Sequence, residues 1–470
     1  MNFVLLAMLG YVIAQFIIGA AVSRRMTSET DYILAGRSLG TGLVVFSVFA
    51  TFFGAEAIVA SAAAVYEKGL AGAATDPFGY SGALVIVGFV FAGRLWRRRL
   101  TTFADLFRQR YSPGVERLVV IMLLPGSIFW AAAQIRAFGQ VMSANSGMGL
   151  ATAITLAAVL VAAYSVVGGL LADAVTDVIQ GTAVVIGLVL LGAIVATAVG
   201  GVGTGLAEVP AERLRTFAGS DGTPLEKLER LAIAICGTVV AVELISRLLG
   251  ARSAEVAAAG TMLGGVLYLA VGLIPVFLGL VGPRLIPGLA ESEQIVPRLA
   301  ELYMPKALFV LFIGAHISAI LSTVHSALHA PSAQVSHNIV VRLAPGIGER
   351  GKLWSVRLTV MGLSLVAFLL ALSSQHIRDL VDTASAFGSA GVFVVTVFAL
   401  FTRFGGERSA YVAMLAGMLV WAVGTRLHWA TPYLAALLAA LIGYVAVALG
   451  EPRATGIAAG VAASPAGDRE

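Results

Sequence analysis

The 470-residue chain is 59% hydrophobic and only 12% charged, whereas soluble domains usually carry about 25% charged residues. Its mean hydropathy is +0.92, so the composition predicts a polytopic membrane protein and excludes a soluble globular enzyme. The net charge of +5 does not indicate nucleic acid as a partner, because the basic residues flank apolar runs and orient them in a bilayer. The single cysteine, Cys236, excludes an intramolecular disulfide.

Apolar runs long enough to cross a bilayer recur along the chain and predict about 13 helices. The predicted spans are 3–23, 41–65, 75–95, 116–145, 150–167, 175–200, 228–250, 255–282, 305–340, 354–373, 381–402, 409–425 and 432–449. The first run has no basic segment before it and ends at Arg24-Arg25, so we interpret it as a retained helix rather than a signal peptide. The Ala/Gly/Pro-rich tail, 451–470, is predicted to be disordered.

The basic residues predict the orientation of these spans. If the first span ends on the inner side, about 20 of the 31 Lys and Arg residues lie inside and about ten lie outside. The N-terminus is therefore expected outside and the C-terminus in the cytoplasm, with the protein in a plasma membrane of the bacterial inner-membrane type. In this arrangement 168–174 and 247–254 are short inner segments.

Several spans carry polar residues at mid-depth, which indicates function because lipid exposure would be very costly. In 41–65, Gly54 precedes Glu56, and a glycine there permits a local break in the helix. Asp173 and Asp177 are four residues apart, on one face of a helix. Elsewhere, the span 116–145 contains Trp130, Gln134 and Arg136, and the span 228–250 contains Glu243.

The stretch ISAILSTVHSALHAPSA, 317–333, concentrates hydroxyls and imidazoles in an apolar span. Ala319, Ser322 and Thr323 are spaced i, i+3 and i+4 and share one helix face. Such hydroxyls can bond the carbonyls of their own helix or join two helices. They can also complete an oxygen shell around a hard cation together with carbonyls released by a broken helix. The broken span near Gly54 favours the second interpretation.

These motifs resemble the sodium/solute symporter family over about residues 31–404. The similar stretches are DYILAGRSLG (31–40), SVFATFFGAEAIVASAAAVYEKGL (47–70), VGGLLADAVTDVIQ (167–180) and SAILSTVHSALHAPSA (318–333). FWAAAQIRAFG (129–139) is most similar to the choline-transporter branch.

The resemblance implies an all-α transporter of LeuT-type fold with two inverted five-helix repeats, 41–200 and 228–402. One extra helix (1–30) would precede the repeats and two would follow (409–449), so that 1–450 forms a single transmembrane domain. The implied function is sodium-driven uptake of a small organic solute by alternating access, with no catalysis. Sodium would be the co-transported ion, and no organic cofactor is expected.

By the same resemblance, the sodium ligands would be the carbonyls of Ala50, Phe53 and Ala319 and the hydroxyls of Ser322 and Thr323. Some relatives have a second sodium site, which here would involve Asp177, His325 and Ser326. An imidazole is a poor sodium ligand, so we expect one sodium ion per cycle. Asp177 would then either pair with His325 or support the first site from behind.

The resemblance also places a solute pocket between core helices one, three, six, eight and ten. The candidate lining residues are Phe52, Glu56, Ala57, Trp130, Gln134, Val240 and Glu243. Two ionised glutamates would favour a cationic or zwitterionic, amine- or amino-acid-like solute, and Trp130 could hold a cation on its ring. Val240 stands where the choline branch has an aromatic residue, which argues against choline itself. Whether Glu56 instead pairs with Arg136 stays open.

Three alternatives differ from this interpretation. The protein could transport a carboxylate, a sugar or another neutral solute, or it could be a transporter-like solute sensor. The latter usually carries a signalling domain, whereas only about 20 residues follow the last predicted span. An intramembrane enzyme is the third alternative, but the chain contains no HExxH motif. The expected partners are the solute, sodium and the lipid bilayer. The sequence determines neither the solute nor the oligomeric state.

Overall fold

The computed structural model describes residues 3–23, 26, 28–215, 222–344, 346–374, 380 and 384–451. The tail 452–470, the pair Arg24-Arg25 and the first residues of the predicted span 381–402 lie outside the described residues. Within the described ranges the regular elements are all helical, and the only β interaction there is an isolated bridge between Leu39 and Ala251. The predicted all-α membrane class is confirmed.

The main helices follow the predicted spans. They are α1 (Phe3–Ser23), α2 (Thr41–Phe52), α3 (Ser61–Lys68), α4 (Tyr80–Ile86), α5 (Pro113–Ser146), α6 (Leu150–Val167), α7 (Leu170–Ala198), α8 (Pro224–Val240), α9 (Val242–Gly250), α10 (Ala254–Leu285), α11 (Lys306–Gln334), α12 (Glu349–Ser373), α13 (Ser389–Phe401), α14 (Glu407–Arg426) and α15 (Pro432–Ala448).

Shorter helices and helical turns connect or extend these elements. They are Glu29–Leu34, Ala35–Arg37, Glu56–Ala60, Gly69–Ala73, Ala74–Gly79, Val87–Ala92, Gly93–Arg97, Asp105–Arg110, Val202–Ala207, Ser292–Gln294, Ile295–Tyr303, Val335–Val340 and Val341–Leu343.

The length and hydropathy of the described helices alone indicate fewer membrane spans than the 13 or so predicted from the sequence. Nine described helical segments are long and apolar enough to cross a bilayer, or ten if the bent pair α8 and α9 forms one span. Shorter apolar helices, Gly10–Ser23, Thr41–Phe52 and Pro432–Ala448, lie within other predicted spans. The count of about 13 therefore stays a prediction.

The predicted span 41–65 is broken in the middle, as Gly54 suggested. Helix α2 ends at Phe52, and helical structure resumes with a wide turn at Glu56–Ala60 that leads into α3. Side chains from other helices bond the backbone at the break: Gln134 Oε1 accepts from the Ala55 N–H at 3.1 Å, and Thr323 donates to the Ala50 carbonyl at 3.2 Å. Such partners stabilise irregular backbone where lipid could not.

A second break, which has no glycine or proline signal in the sequence, divides the span 228–250. Ala241 adopts an extended conformation (φ −64°, ψ 112°) between α8 and α9, and the two helices meet at a bend of 43°. The break comes immediately before Glu243. Both spans with a glutamate at mid-depth are thus interrupted beside that glutamate.

Two predicted boundaries are corrected. Helix α7 begins at Leu170 instead of residue 175, directly after two extended glycines, so Asp173 lies in its first turn rather than in a connecting segment. Arg247 is expected in the inner segment 247–254, but it lies inside α9 and is fully buried. A buried guanidinium requires partners, and it finds them on neighbouring helices.

Packing places the two broken spans at the centre of the bundle. Helix α2 packs against α7, α10 and α11, and α11 also packs against α5 and α9. Helices α14 and α15 pair with each other and with α13. Outer faces are apolar: Leu358, Leu365 and Leu369 on α12 are each more than half exposed, as expected of a surface that faces lipid.

Candidate functional site

The centre of the bundle holds the five residues predicted as sodium ligands. Ala50 and Phe53 lie at the end of α2, and Ala319, Ser322 and Thr323 lie on the facing side of α11; all five are buried. The Thr323 hydroxyl reaches the Ala50 carbonyl at 3.2 Å across 273 positions of sequence. The end of α2 therefore meets the hydroxyl-bearing face of α11.

Asp177 on α7 connects to the same face. Its carboxylate accepts hydrogen bonds from Ser322 and, at 2.5 Å, from Ser47 on α2. Two alternatives were predicted for Asp177: pairing with His325, or support of the first sodium site. The hydrogen bond from Ser322 is consistent with the second alternative. His325 instead has its Nε2 3.7 Å from the other aspartate, Asp173.

Ser326 and His325 occupy a second polar cluster beside the first. The Ser326 hydroxyl lies 3.3 Å from that of Thr51 and 3.4 Å from Asp173 Oδ2. Arg247 inserts its guanidinium here and binds both Ser326 and Asp173. A protein cation thus lies against one of the groups considered for a second sodium.

Sequence reasoning missed Arg247 because its position near the end of a span resembles an ordinary flanking charge. A local signal was present: Arg247 follows Glu243 by four residues, so the two lie on one side of a helix. In the structure Arg247 Nη1 donates to the Glu243 carbonyl at 3.3 Å and to Ser246 at 3.0 Å. Its partner Asp173, 74 positions away, could not be identified from spacing.

A cavity lies beside the two breaks. Its described lining residues are Phe52, Glu56, Tyr80, Leu123, Gly126, Ser127, Trp130, Gly237, Thr238, Val240, Ala241, Val242, Glu243, Tyr268, Ala384, Ser385, Phe387 and Ser389. Five of the seven predicted pocket residues are among them.

Two predicted pocket residues lie outside the described cavity wall. Ala57 is buried among the core side chains, and Gln134 lies behind Glu56, to which it donates at 2.5 Å. Helix α11, the predicted eighth core helix, also adds no residue to the described lining. Its polar face is turned toward α2 and α7, where the predicted ion ligands lie.

The Glu56 carboxylate is held by neutral donors. Trp130 Nε1 donates at 2.8 Å and Gln134 Nε2 at 2.5 Å. The alternative pairing of Glu56 with Arg136 is not among the ion pairs of the described residues; Arg136 donates to the Ala371 carbonyl at 3.1 Å. Residues 134 and 136 are two apart, so they face different sides of α5.

The Glu243 carboxylate also has a neutral partner, Ser127, which donates at 2.5 Å. Aromatic rings complete the walls. Phe52 lies 5.7 Å from Trp130 and 6.4 Å from Tyr80, measured between ring centroids. Sequence reasoning missed Tyr80 and Ser127, because nothing in their local sequence distinguishes them from packing residues. The resulting chamber combines two carboxylates with π faces, which attract cations.

Gly54 lies where the cavity and the ion ligands meet. A Cβ atom at this position would lie 2.7 Å from Thr323 Oγ1, 2.8 Å from Glu56 Oε2 and 2.9 Å from Gln134 Oε1. A predicted ion ligand and a cavity carboxylate therefore approach the same backbone atom. No grouping of His, Cys, Asp and Glu in the described residues could hold a metal ion in the manner of a metalloenzyme.

A helical membrane bundle with two spans broken at a shared polar centre has the architecture of a secondary transporter. The family model for the sodium:solute symporter family matches residues 32–417. The chain belongs to that family, and it is a transporter rather than an enzyme, with sodium as the co-transported ion.

Individual relatives agree with this assignment. The chain is 25% identical over 382 residues to high-affinity choline transporter 1 of Caenorhabditis elegans, covering 76% of this chain and 66% of that protein. It thus spans just under two thirds of the nematode transporter's length. It is 24% identical over 438 residues to the sodium/proline symporter of Escherichia coli, covering 89% and 87% of the two chains.

Among solved structures, a Na⁺-coupled sialic acid symporter in a substrate-bound outward-open state superimposes with a TM-score of 0.85. The match covers 96% of this chain and 98% of that chain at 18% identity. At this identity the likeness concerns the fold, which is of the predicted LeuT type.

Proposed function

We propose that the protein imports a small cationic organic solute together with sodium by alternating access. One observation carries the proposal: Glu56 and Glu243 both line a single aromatic-walled cavity, and Gly54 joins this cavity to the predicted sodium ligands. Carboxylates and ring faces favour a cation. The choline transporters among the relatives support a cationic solute, although Val240 and Ala241 line the wall where that branch has an aromatic residue.

The proposed sodium site uses the carbonyls of Ala50, Phe53 and Ala319 and the hydroxyls of Ser322 and Thr323. Carbonyl and hydroxyl oxygens can replace the hydration shell of a hard cation at mid-membrane. Asp177 adds a negative charge through its contact with Ser322. We propose one sodium ion per cycle, since Arg247 already binds Ser326 and Asp173 in the neighbouring cluster.

Alternating access would involve two repeats, 41–200 and 228–402, within one transmembrane domain. Each repeat contains one broken helix, and the two breaks lie against the same cavity. The distribution of basic residues supports an outer N-terminus and a cytoplasmic C-terminus, in a plasma membrane of the bacterial inner-membrane type.

Uptake into proteoliposomes tests this function. With an inward sodium gradient we expect accumulation of a labelled organic cation above its equilibrium level, and we expect none when potassium replaces sodium on both sides. Amines, amino acids, carboxylates and sugars form the panel. A solute that binds without accumulating would favour a sensor, and equal uptake on a proton gradient alone would overturn sodium coupling.

The sodium ligands are tested by Ser322→Ala and Thr323→Ala. Each variant removes one oxygen ligand of the sodium ion. A hydrogen bond to a charged group contributes about 1.5–3 kcal/mol, and a loss of that size lowers the affinity for sodium by about tenfold or more. We expect the half-saturating sodium concentration to rise far more than that of the solute. Thr182→Ala is the control, because Thr182 is exposed and bonds its own helix at Val178. Unchanged sodium dependence in both variants would contradict the site.

A further inference from the structure

The two cavity carboxylates occupy corresponding positions in the two broken spans. Glu56 is the first residue of helical structure after the first break, and Glu243 lies in the first turn after the second. The positive end of a helix dipole stabilises an acidic side chain there. In transporters with broken helices these ends can face an anionic group of the solute. Here each end already carries a carboxylate of the protein.

The charges of these carboxylates are not balanced by the described cavity wall. None of its described residues is Lys, Arg or His. The hydrogen-bond donors to Glu56 are an indole and an amide, and the donor to Glu243 is a hydroxyl. These neutral groups satisfy lone pairs but supply no positive charge. Burying a charge without an opposite charge is costly.

Arg247, a basic side chain behind the wall, has its direct ion pair with another carboxylate. Arg247 contacts only the backbone carbonyl of Glu243, whereas its guanidinium forms an ion pair with Asp173. Asp177 is bound to Ser47 and Ser322 beside the proposed sodium. Arg247 therefore balances the charge of Asp173, and the proposed sodium ion balances that of Asp177. Glu56 and Glu243 remain available to bind the solute.

The partners of the two glutamates indicate how far apart the carboxylates are. Ser127 holds Glu243, while Trp130 and Gln134 hold Glu56, and these three residues follow one face of α5. At a rise of 1.5 Å per residue, the two anchoring points are separated by roughly 4.5–10.5 Å along the helix axis. Apolar and aromatic side chains, among them Leu123 and Phe52, line the same cavity.

We propose that the transported solute is a dication in which an aliphatic chain separates two amine groups, and that Glu56 and Glu243 each bind one of them. The inference rests on the proposed function and specifies its substrate class. A chain of about three to six carbons fits the separation of the anchoring points, given carbon–carbon bonds of about 1.5 Å. A monoamine leaves one carboxylate without a counter-charge, and an amino acid adds a third negative group.

A matched series of four-carbon compounds tests the proposal in proteoliposomes with an inward sodium gradient. The series is butane-1,4-diamine, butylamine, 4-aminobutanoate and succinate, with choline as a bulky monocation. We expect the diamine to be accumulated, and to compete for uptake, at a concentration at least about tenfold below that of butylamine. The two acids should not compete.

Two variants connect this preference to the glutamates. Glu243→Gln and Glu56→Gln each remove one charge while keeping the side-chain shape, so the preference for the diamine over butylamine should shrink to near equality. Glu255→Gln is the control, because Glu255 is exposed and pairs only peripherally with Arg97 at 4.0 Å; the preference should persist in it.

The outcomes separate the two proposals. If choline or butylamine accumulates on a sodium gradient and the diamine is no better, the dication is excluded while the proposed function stands. If none of the cations accumulates, the proposed function fails as well. The wild-type series gives this decision even if neither glutamine variant folds.

Discussion

Replacement of Gly54 by alanine is expected to lower sodium-driven uptake by about a hundredfold, the size of effect that a displacement of about 1 Å can produce. The added Cβ would lie within 2.9 Å of oxygens from Thr323, Glu56 and Gln134, far inside van der Waals contact. Because Thr323 belongs to the proposed ion site and Glu56 to the cavity, apparent affinities for sodium and for solute should fall together. Initial uptake rates at varied sodium and solute concentrations measure both.

Gly42→Ala is the matched control. Gly42 lies on the same helix, α2, and a Cβ there meets no atom within 4 Å. That variant should transport like the wild type, since alanine is the better helix former. If Gly54→Ala raised only one of the two half-saturating concentrations, the ion and solute sites would not meet at this residue.

Breaking the Asp173–Arg247 pair should have the largest effect on stability. Both side chains are fully buried, and removal of one partner leaves an isolated buried charge. We therefore expect Asp173→Asn or Arg247→Gln to reduce the free energy of unfolding by about 3–5 kcal/mol. The double variant removes both charges and should lose much less than the sum of the single losses. Thermal unfolding of the purified protein in one detergent, at fixed sodium concentration, measures all three.

The exposed pair Arg298–Glu301 provides the comparison. Its side chains are 54% and 61% exposed, and such pairs contribute at most about 1 kcal/mol. Additive losses in the Asp173 and Arg247 variants would show that the two residues act independently and would contradict the buried pair.

Much of the membrane architecture could be predicted because its signals are local. Apolar runs of about 20 residues predict membrane helices wherever they occur. Gly54, two residues before Glu56, indicated the first break for the same reason, since the flexible residue and the costly charge lie within three consecutive positions. The second break carries no glycine or proline: Ala241 has ordinary neighbours, so its extended conformation went unpredicted.

The candidate site residues also include some that local sequence spacing predicts and others that only the tertiary structure reveals. The i, i+3, i+4 spacing of Ala319, Ser322 and Thr323 placed them on one face, and the structure sets that face against α2. The role of Arg247 was not predicted, because its position near the end of a span suggested a residue at the membrane surface. Its burial depends on Asp173, which belongs to another helix.

The sequence by itself determined that this is a polytopic helical membrane protein, and its motifs resembled those of the family to which it belongs. Hydropathy and helical spacing act over a few turns, so one segment is enough to show them. The tertiary structure decided which buried charges face which. Asp173 pairs with Arg247 and Asp177 binds Ser322, while Glu56 and Glu243 line a common cavity. Charges interact over a few ångströms of space, and only the packing of the helices brings residues far apart in sequence within that distance.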